Sequence, residues 1–402
     1  MTAADDAAVD HLTAPVALTR LNFVPAGLKA QQEQANGAGA FEDVSPASVP
    51  RGVPVNTDAS RLWGAMRLLA DAGANAAAGP SRGFPVVLVT APGGGTGCST
   101  VTAAVGGLMA IASTQPVVAV DGCPRPWGGL APRFGPAAQL TFNDLLADGN
   151  GRHVPLPRDV AEQFMQAGPS GLRLVSGEEG LRRPGRPLMD AGALLATLGR
   201  LRLAYAAALV DSPPPPDPIC LAGLDIAAVL LVVCRATPDG AEHALSLLAW
   251  LRANGRVAAA DGAVVVVNEV SARTDKAVRA AEHRLAGQAR CVVRLPYDRL
   301  LATPGPLDPL LLARPTRYAL TRIAAGVAGA CAEAYVARAT SPEAIDAPVH
   351  AIPVPAVPHP QPVELPPRAR PYDHVPVHAA TPASAATRTA IVTGAVHEEE
   401  SA

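Results

Sequence analysis

Four glycines, Gly93, Gly94, Gly95 and Gly97, separate the apolar run Pro85–Thr90 from Ser99, Thr100 and a helical stretch that follows them. Glycines so placed let successive backbone N–H groups curl into a concave nest, and the helix behind them points its positive end inward. That geometry suits a phosphate. Taken alone, the glycines also fit an ordinary strand-to-helix turn. Other residues add to them. The run Pro116–Val120 ends in Asp121 and is followed by Gly128-Gly129-Leu130. The run Ala207–Val210 ends in Asp211-Ser212-Pro213-Pro214, the run Ala263–Val267 in Asn268, and Cys291–Leu295 in Pro296-Tyr297-Asp298.

Apart from Thr90 and Arg294 these runs are apolar, as strands buried on both faces tend to be. With Leu172–Val175 and Ala227–Val233 they make seven candidate strands. Helical patterns alternate with them at Ser99–Ser113, Ala191–Leu201, Asp239–Ala253, Asp275–Leu285 and Thr316–Ala337. Asp239 is the expected N-cap of the third helix and Asn254-Gly255 its stop. Asp58 is the expected cap of an earlier amphipathic helix carrying Leu62, Trp63, Met66, Leu68 and Leu69. The alternation predicts an α/β fold, a mostly parallel, doubly wound sheet with flanking helices. Between Pro124 and Pro187 the pattern is irregular, and residues 178–184 read as an exposed loop.

The 402 residues are 49% hydrophobic, enough for a sizeable core, while 36 glycines and 41 prolines exceed what one compact domain uses. The excess is expected in the ends. Residues 1–57 lack sustained periodicity and are expected to be disordered, 58–83 to form a helix and linker, and 84–338 the α/β domain. Residues 339–402, with Pro353-Val354-Pro355 and Leu365-Pro366-Pro367, read as a Pro-rich disordered tail. Thirty-three basic residues nearly cancel 35 acidic ones, for a net charge of −2, so no global field draws the chain to nucleic acid or anionic lipid. Six cysteines show no metal-ligand spacing, and no segment reads as a signal peptide or a membrane span. The expected location is the cytoplasm, with reduced thiols.

In their order along the chain, the glycine loop and the strand-end residues resemble the MinD/ParA family of P-loop ATPases over roughly 84–335. The family's Lys-Gly-Gly-x-Gly-Lys-Thr/Ser-Thr/Ser loop falls on Gly93, Gly94, Gly95, Thr96, Gly97, Cys98, Ser99 and Thr100. The resemblance implies ATP and Mg²⁺ as cofactors. It assigns Ser99 to Mg²⁺, Thr100 to the α-phosphate, and Asp211 to Mg²⁺ through water. Asn268 is assigned to adenine and Pro296 to the wall beside the base. Asp121 and Asp211 are the acids that an active enzyme would use.

Four positions depart from the family pattern. The lysine that reaches the β- and γ-phosphates is Cys98, and the signature lysine donated across a dimer is Gly93. The second acid of the Asp-x-Asp strand end is Cys123. The switch glycine is Pro215, which has no N–H to offer. A trans-acting cation alone can be worth about 10³–10⁵ in phosphoryl-transfer rate. Two lost charged hydrogen bonds of about 1.5–3 kcal/mol each weaken binding about 10²–10⁴-fold. Turnover is therefore expected to be nearly abolished, with nucleotide binding weak or absent. The chain has only two lysines, Lys29 and Lys276. Arg125 and Arg133 lie nearer the second strand, although guanidinium fits a lysine pocket poorly. Cys98 and Cys123 read as small space-fillers or as a soft-metal or redox pair, and a reducing compartment favours the first.

Three functions compete. The first is a non-hydrolysing docking or regulatory subunit that meets protein partners, a second copy among them, through its dimer face and tails. Pro-rich proteins of this type resemble actinobacterial ones linked to specialised secretion or conjugation. The second is an active ATPase that positions DNA or another cargo; against it stand the lost loop residues and the lack of a basic patch. A membrane-anchored version would need a basic C-terminal helix, whereas this sequence ends His397-Glu398-Glu399-Glu400-Ser401-Ala402. The third is an α/β scaffold that binds no nucleotide.

Overall fold

The structure is a computed structural model that describes residues 56–75, 84–125, 129–135, 140–147, 154–178, 184–271 and 276–340. The chain divides into two compact units, Met1–Val354 and Pro355–Ala402, and the described residues all lie in the first. Most of the expected disordered ends, residues 179–183 of the expected exposed loop and Gly128 fall outside the described residues; Thr57, Ala339 and Thr340 are helical instead, and Glu178, expected to be exposed, is buried.

Among the described residues the sheet has eight strands: β1 (Val86–Thr90), β2 (Val117–Asp121), β3 (Gln166–Ala167), β4 (Arg173–Val175), β5 (Ala207–Asp211), β6 (Val229–Arg235), β7 (Val264–Asn268) and β8 (Cys291–Leu295). Their spatial order is β3-β4-β2-β5-β1-β6-β7-β8, and every pairing is parallel except β3 with β4. All seven expected strands are present within two residues of their predicted bounds. The eighth, β3, is two residues long and without an apolar run to announce it.

Successive side chains of each strand go to opposite faces. Val87 and Val89 of β1, with Val264 and Val266 of β7, join a core formed with α1 (Thr57–Asn75), α2 (Cys98–Ile111) and α11 (Arg314–Thr340). Val86 and Leu88, with Val265 and Val267, pack on the other face against α5 (Ala191–Leu201), α6 (Pro218–Ile226), α7 (Pro238–Ala253) and α9 (Lys276–Ala286). Both faces are covered, which is why β1, β2, β5, β6 and β7 are apolar up to their last residue. Short helices α3 (Phe142–Ala147), α4 (Arg158–Ala161), α8 (Val257–Asp261) and α10 (Arg299–Ala302) complete the unit.

Two caps differ from expectation. The α1 cap is Asn56, whose Oδ1 accepts the Ala59 N–H at 2.9 Å, rather than Asp58. For α7 the cap is Thr237, accepting from Gly240 N at 3.1 Å. Pro238 then takes the first helical position, where a missing N–H costs nothing, and Asp239 sits inside the first turn. In α1, Leu62, Met66 and Leu69 are buried while Leu68 is exposed, so the apolar stripe is narrower than the sequence suggested.

Just beyond β4, the fully buried Glu178 side chain accepts from Thr141 Oγ1 at 2.8 Å and Asn143 Nδ2 at 2.9 Å, and pairs with Arg186 Nε at 3.1 Å. Removing the cation from a buried pair typically costs about 3–5 kcal/mol. Two neutral donors remain to Glu178, so Arg186→Met should cost about 2–3 kcal/mol. For a domain of this size that lowers Tm by roughly 5–10 °C. Adding Glu178→Gln should restore at least half of the loss in thermal unfolding followed by circular dichroism; no restoration would mean that packing, not charge, holds the loop.

Candidate functional site

β1 lies between β5 and β6, while the chain leaving β1 passes through α2 to β2, beyond β5. The strand order thus reverses beside β1, and a crevice opens at the carboxyl ends of the strands there. The glycine loop fills its floor. Gly95 and Gly97 have φ of 71° and 92°, values that L side chains rarely adopt. Gly97 caps α2 without any side-chain hydrogen bond. Among the described residues, no backbone N–H of Gly94, Gly95, Thr96 or Gly97 donates to a backbone carbonyl. An anion is the natural complement of such a row of donors at a helix start.

The loop is held from behind rather than by its own bonds. Asn268 Nδ2 donates to the Thr96 carbonyl at 2.8 Å, and Arg235 Nε donates to the Gly95 carbonyl at 2.8 Å. Register brings the acids together: Asp211 pairs with Val89 of β1 on one side and with Asp121 of β2 on the other. Ser99 Oγ donates to Asp211 Oδ2 at 2.5 Å, while the buried Oδ1 has no partner among the described residues. Asp121 accepts from Leu130 N at 2.9 Å and Cys123 N at 3.2 Å.

A cavity of about 220 Å³ opens above these groups. Its wall includes Gly93 to Thr100, Cys123, Gly129, Asp211, Ser212 and Pro214. Pockets that enclose a drug-sized ligand run to about 300–1,000 Å³, so this one matches a phosphate chain rather than a whole nucleotide. Asn268 and Pro296 do not line it. They stand at the ends of the neighbouring strands β7 and β8, and the Asn268 amide is engaged with the loop.

Arg125 and Arg133 both reach the cavity wall. These are the two arginines that the sequence places near the second strand as candidates to replace the missing lysines. Arg133 comes from a single 3-10 turn, Ala131–Arg133, and its Nη2 donates to Thr100 Oγ1 at 2.8 Å and to the Leu301 carbonyl at 3.0 Å. Its Nη1 donates to the Thr303 carbonyl at 2.6 Å. Burial lowers the Arg133 pKa. Most of this guanidinium is committed to the protein, where it steadies Thr100. The charge of Arg125 acts on Asp121, Cys123 and Asp211 alike, favouring their ionised forms.

Burial governs the protonation of this cluster. It pushes the Asp211 carboxyl up to about 7, reinforced by the Asp121 charge and opposed by the Ser99 hydroxyl, the Cys98 thiol and Arg125. Burial also raises Asp121, although backbone donors pull it down. The Cys98 and Cys123 thiols are pushed far up, first by burial and then by Asp211. Both are neutral thiols at pH 7.

No family model matches the chain. Over 227 residues, 55% of its length, it is 29% identical to the ESX-1 secretion-associated protein EspI of Mycobacterium tuberculosis, in strains CDC 1551 / Oshkosh and ATCC 25618 / H37Rv. The chain spans about a third of those curated relatives, covering 33% of each. Similar solved structures include a ParA family ATPase from Chlorobium tepidum TLS, at 17% identity and TM-score 0.43, covering 56% of this chain and 89% of that one. Another is the MinC:MinD cell division protein complex of Aquifex aeolicus, at 20% identity and TM-score 0.42, covering 60% and 93%. Among the described residues, no helix is long and apolar enough to cross a membrane.

The loop, Cys98, Ser99, Thr100, Cys123 and Asp211 therefore meet in one place, with Asp121 beside them. Sequence reasoning missed Arg235 as a prop of the loop. Its only signal is its place at the end of β6, the strand next to β1.

Proposed function

We propose that this chain is a MinD/ParA-like phosphate-loop protein that holds a phosphate-bearing ligand weakly, does not hydrolyse it, and works as a docking or regulatory subunit. The observation that carries the reading is the pairing inside the cradle. Cys98 occupies the first residue of α2, beside Asp211, where the family resemblance calls for a lysine. The loop donors, the Ser99–Asp211 pair and a cavity of phosphate-chain size fit Mg²⁺ and a polyphosphate. Ser99 and Asp211 would hold the ion, which when bound would screen phosphate charge. Arg125, at the cavity wall, would supply a positive charge that the loop itself lacks. Similarity to a secretion-associated protein supports a setting in a secretion apparatus, with protein partners and a second copy of the chain as the expected contacts.

A second reading, an active ATPase, gains from Arg125 and Arg133 at the cavity wall. Two experiments separate them. At about 5 mM Mg·ATP and a Kd near 1 mM, stabilisation is about 1 kcal/mol, which raises Tm by roughly 2–4 °C. Mg·ADP, GTP and inorganic triphosphate should produce shifts of similar size, and Arg125→Ala should remove them. Phosphate release should stay at the blank. A steady release abolished by Asp211→Asn would establish the ATPase instead, and a flat thermal response to every ligand would leave only the scaffold.

A further inference from the structure

Asp121, Cys123 and Asp211 are all buried, and one ligand atom from each lies within 4.8 Å of the other two. Tetrahedral zinc with bonds of about 2.0–2.3 Å sets its ligand atoms roughly 3.3–3.8 Å apart, so closing on an ion asks for about 1 Å of side-chain movement. The orientation is already favourable. Ser99 occupies Asp211 Oδ2 and leaves Oδ1, fully buried and without a partner among the described residues. Backbone donors from Leu130 and Cys123 fix the Asp121 carboxylate, as outer partners of metal ligands do. Gly129 and Gly177 allow this crowding: a Cβ at either would meet Asp121 at 3.0 and 3.3 Å.

Charge completes the case. Binding a cation would displace the Cys123 thiol proton that the free site holds at pH 7, and the ion would then face two carboxylates and a thiolate, with the Arg125 charge balancing one of the three. A divalent ion offsets the other two. A thiolate among the donors disfavours Mg²⁺, which takes oxygen ligands, and selects Zn²⁺ or a similar borderline metal. We propose that Asp121, Cys123 and Asp211 form a three-ligand site for Zn²⁺ or a comparable transition-metal ion, with the fourth position opening on the glycine-loop cavity. This goes beyond the phosphate reading and does not depend on it. Three protein ligands with one open position is the arrangement of zinc sites that bind a further ligand, so an anion in the cavity would reach the metal directly.

The test uses the full chain, reduced, stripped with a chelator and titrated with Co²⁺. One Co²⁺ per chain should bind with thiolate-to-cobalt charge-transfer absorption and intense tetrahedral ligand-field bands. Zn²⁺ should displace it, whereas a hundredfold excess of Mg²⁺ should not. Cys123→Ser should abolish the charge-transfer band. Asp211→Asn, which keeps the thiol, should retain the band but weaken Co²⁺ affinity at least tenfold. Cys291→Ser, on the edge strand β8, is the control that leaves both unchanged. A titration without a charge-transfer band, or a band surviving in Cys123→Ser, would overturn the site. If Cys123→Ser does not fold, unchanged Co²⁺ affinity in Asp211→Asn would overturn it as well. None of these readouts involves nucleotide, so failure of the phosphate reading is distinguishable.

Discussion

Cys98→Lys should tighten Mg·ATP about 10–10²-fold, and the double variant Cys98→Lys, Gly93→Lys should raise phosphate release about 10³-fold or more over the parent chain. The first figure is one charged hydrogen bond of about 1.5–3 kcal/mol, converted at 1.4 kcal/mol per tenfold. Position 98 opens α2 at the cavity wall, which places a lysine there within reach of a ligand in the cavity. A Cβ at Gly93 meets nothing within 4 Å, and a long side chain leaves toward solvent from there. The second figure takes the lower end of what a trans-acting cation contributes to phosphoryl transfer, about 10³–10⁵. Cys123 and Pro215 remain in the double variant, which keeps it below a complete enzyme. Calorimetry reads the affinity and a coupled phosphate assay reads the rate. A folded Cys98→Lys protein with unchanged affinity would remove the glycine loop as the phosphate site. A parent rate equal to that of the double variant would show that Arg125 or Arg133 already does the lysines' work.

Gly97→Ala should destabilise the domain by about 2–4 kcal/mol, while Gly94→Ala should change it by less than about 1 kcal/mol. At position 97 the backbone φ is 92°, where an alanine costs about 1–2 kcal/mol. Its Cβ would also stand 2.5 Å from Asn268 Nδ2, displacing the bond to the Thr96 carbonyl. A buried polar group left unpaired adds about 1–3 kcal/mol. Gly94 has neither problem: nothing lies within 4 Å of its Cβ. The expected fall in Tm is roughly 5–12 °C for Gly97→Ala, read by calorimetry. Equal effects at the two glycines would mean that the loop is not braced by Asn268.

The sheet was legible because its central strands are buried on both faces and therefore written as apolar runs that break only at their last residue. Val264–Asn268 is valine until its last residue, and no helix packing needs that pattern. The same logic hid β3, whose Gln166 and Ala167 are only partly covered and satisfy no hydrophobic pattern. Short helices such as α4 and α10 span about one turn, too little for a 3.6-residue period to emerge. In the site, whatever sits at a strand end could be read: Asp121, Asp211 and Asn268 follow directly from where their strands stop. Contacts made sideways, between distant stretches of chain, could not. Arg133 meets Thr100 from a 3-10 turn 33 residues away, and Arg235 meets Gly95 across 140 residues. Arg133 is one of the arginines the sequence places near the second strand, but its hold on Thr100, like that of Arg235 on the Gly95 carbonyl, depends on tertiary placement alone.

The pairing of α1 with α11 is more extensive than any other between described elements, and it joins Leu62 and Met66 to Leu320, Ile323 and Val327. During synthesis, α1 leaves the ribosome more than 230 residues ahead of the helix that covers it. Until then its apolar stripe has no permanent cover, and a nascent chain so exposed is prone to wrong association. The domain therefore matures late, as the last of the described helices emerges, and a truncation before residue 314 would leave one face of the sheet unsealed.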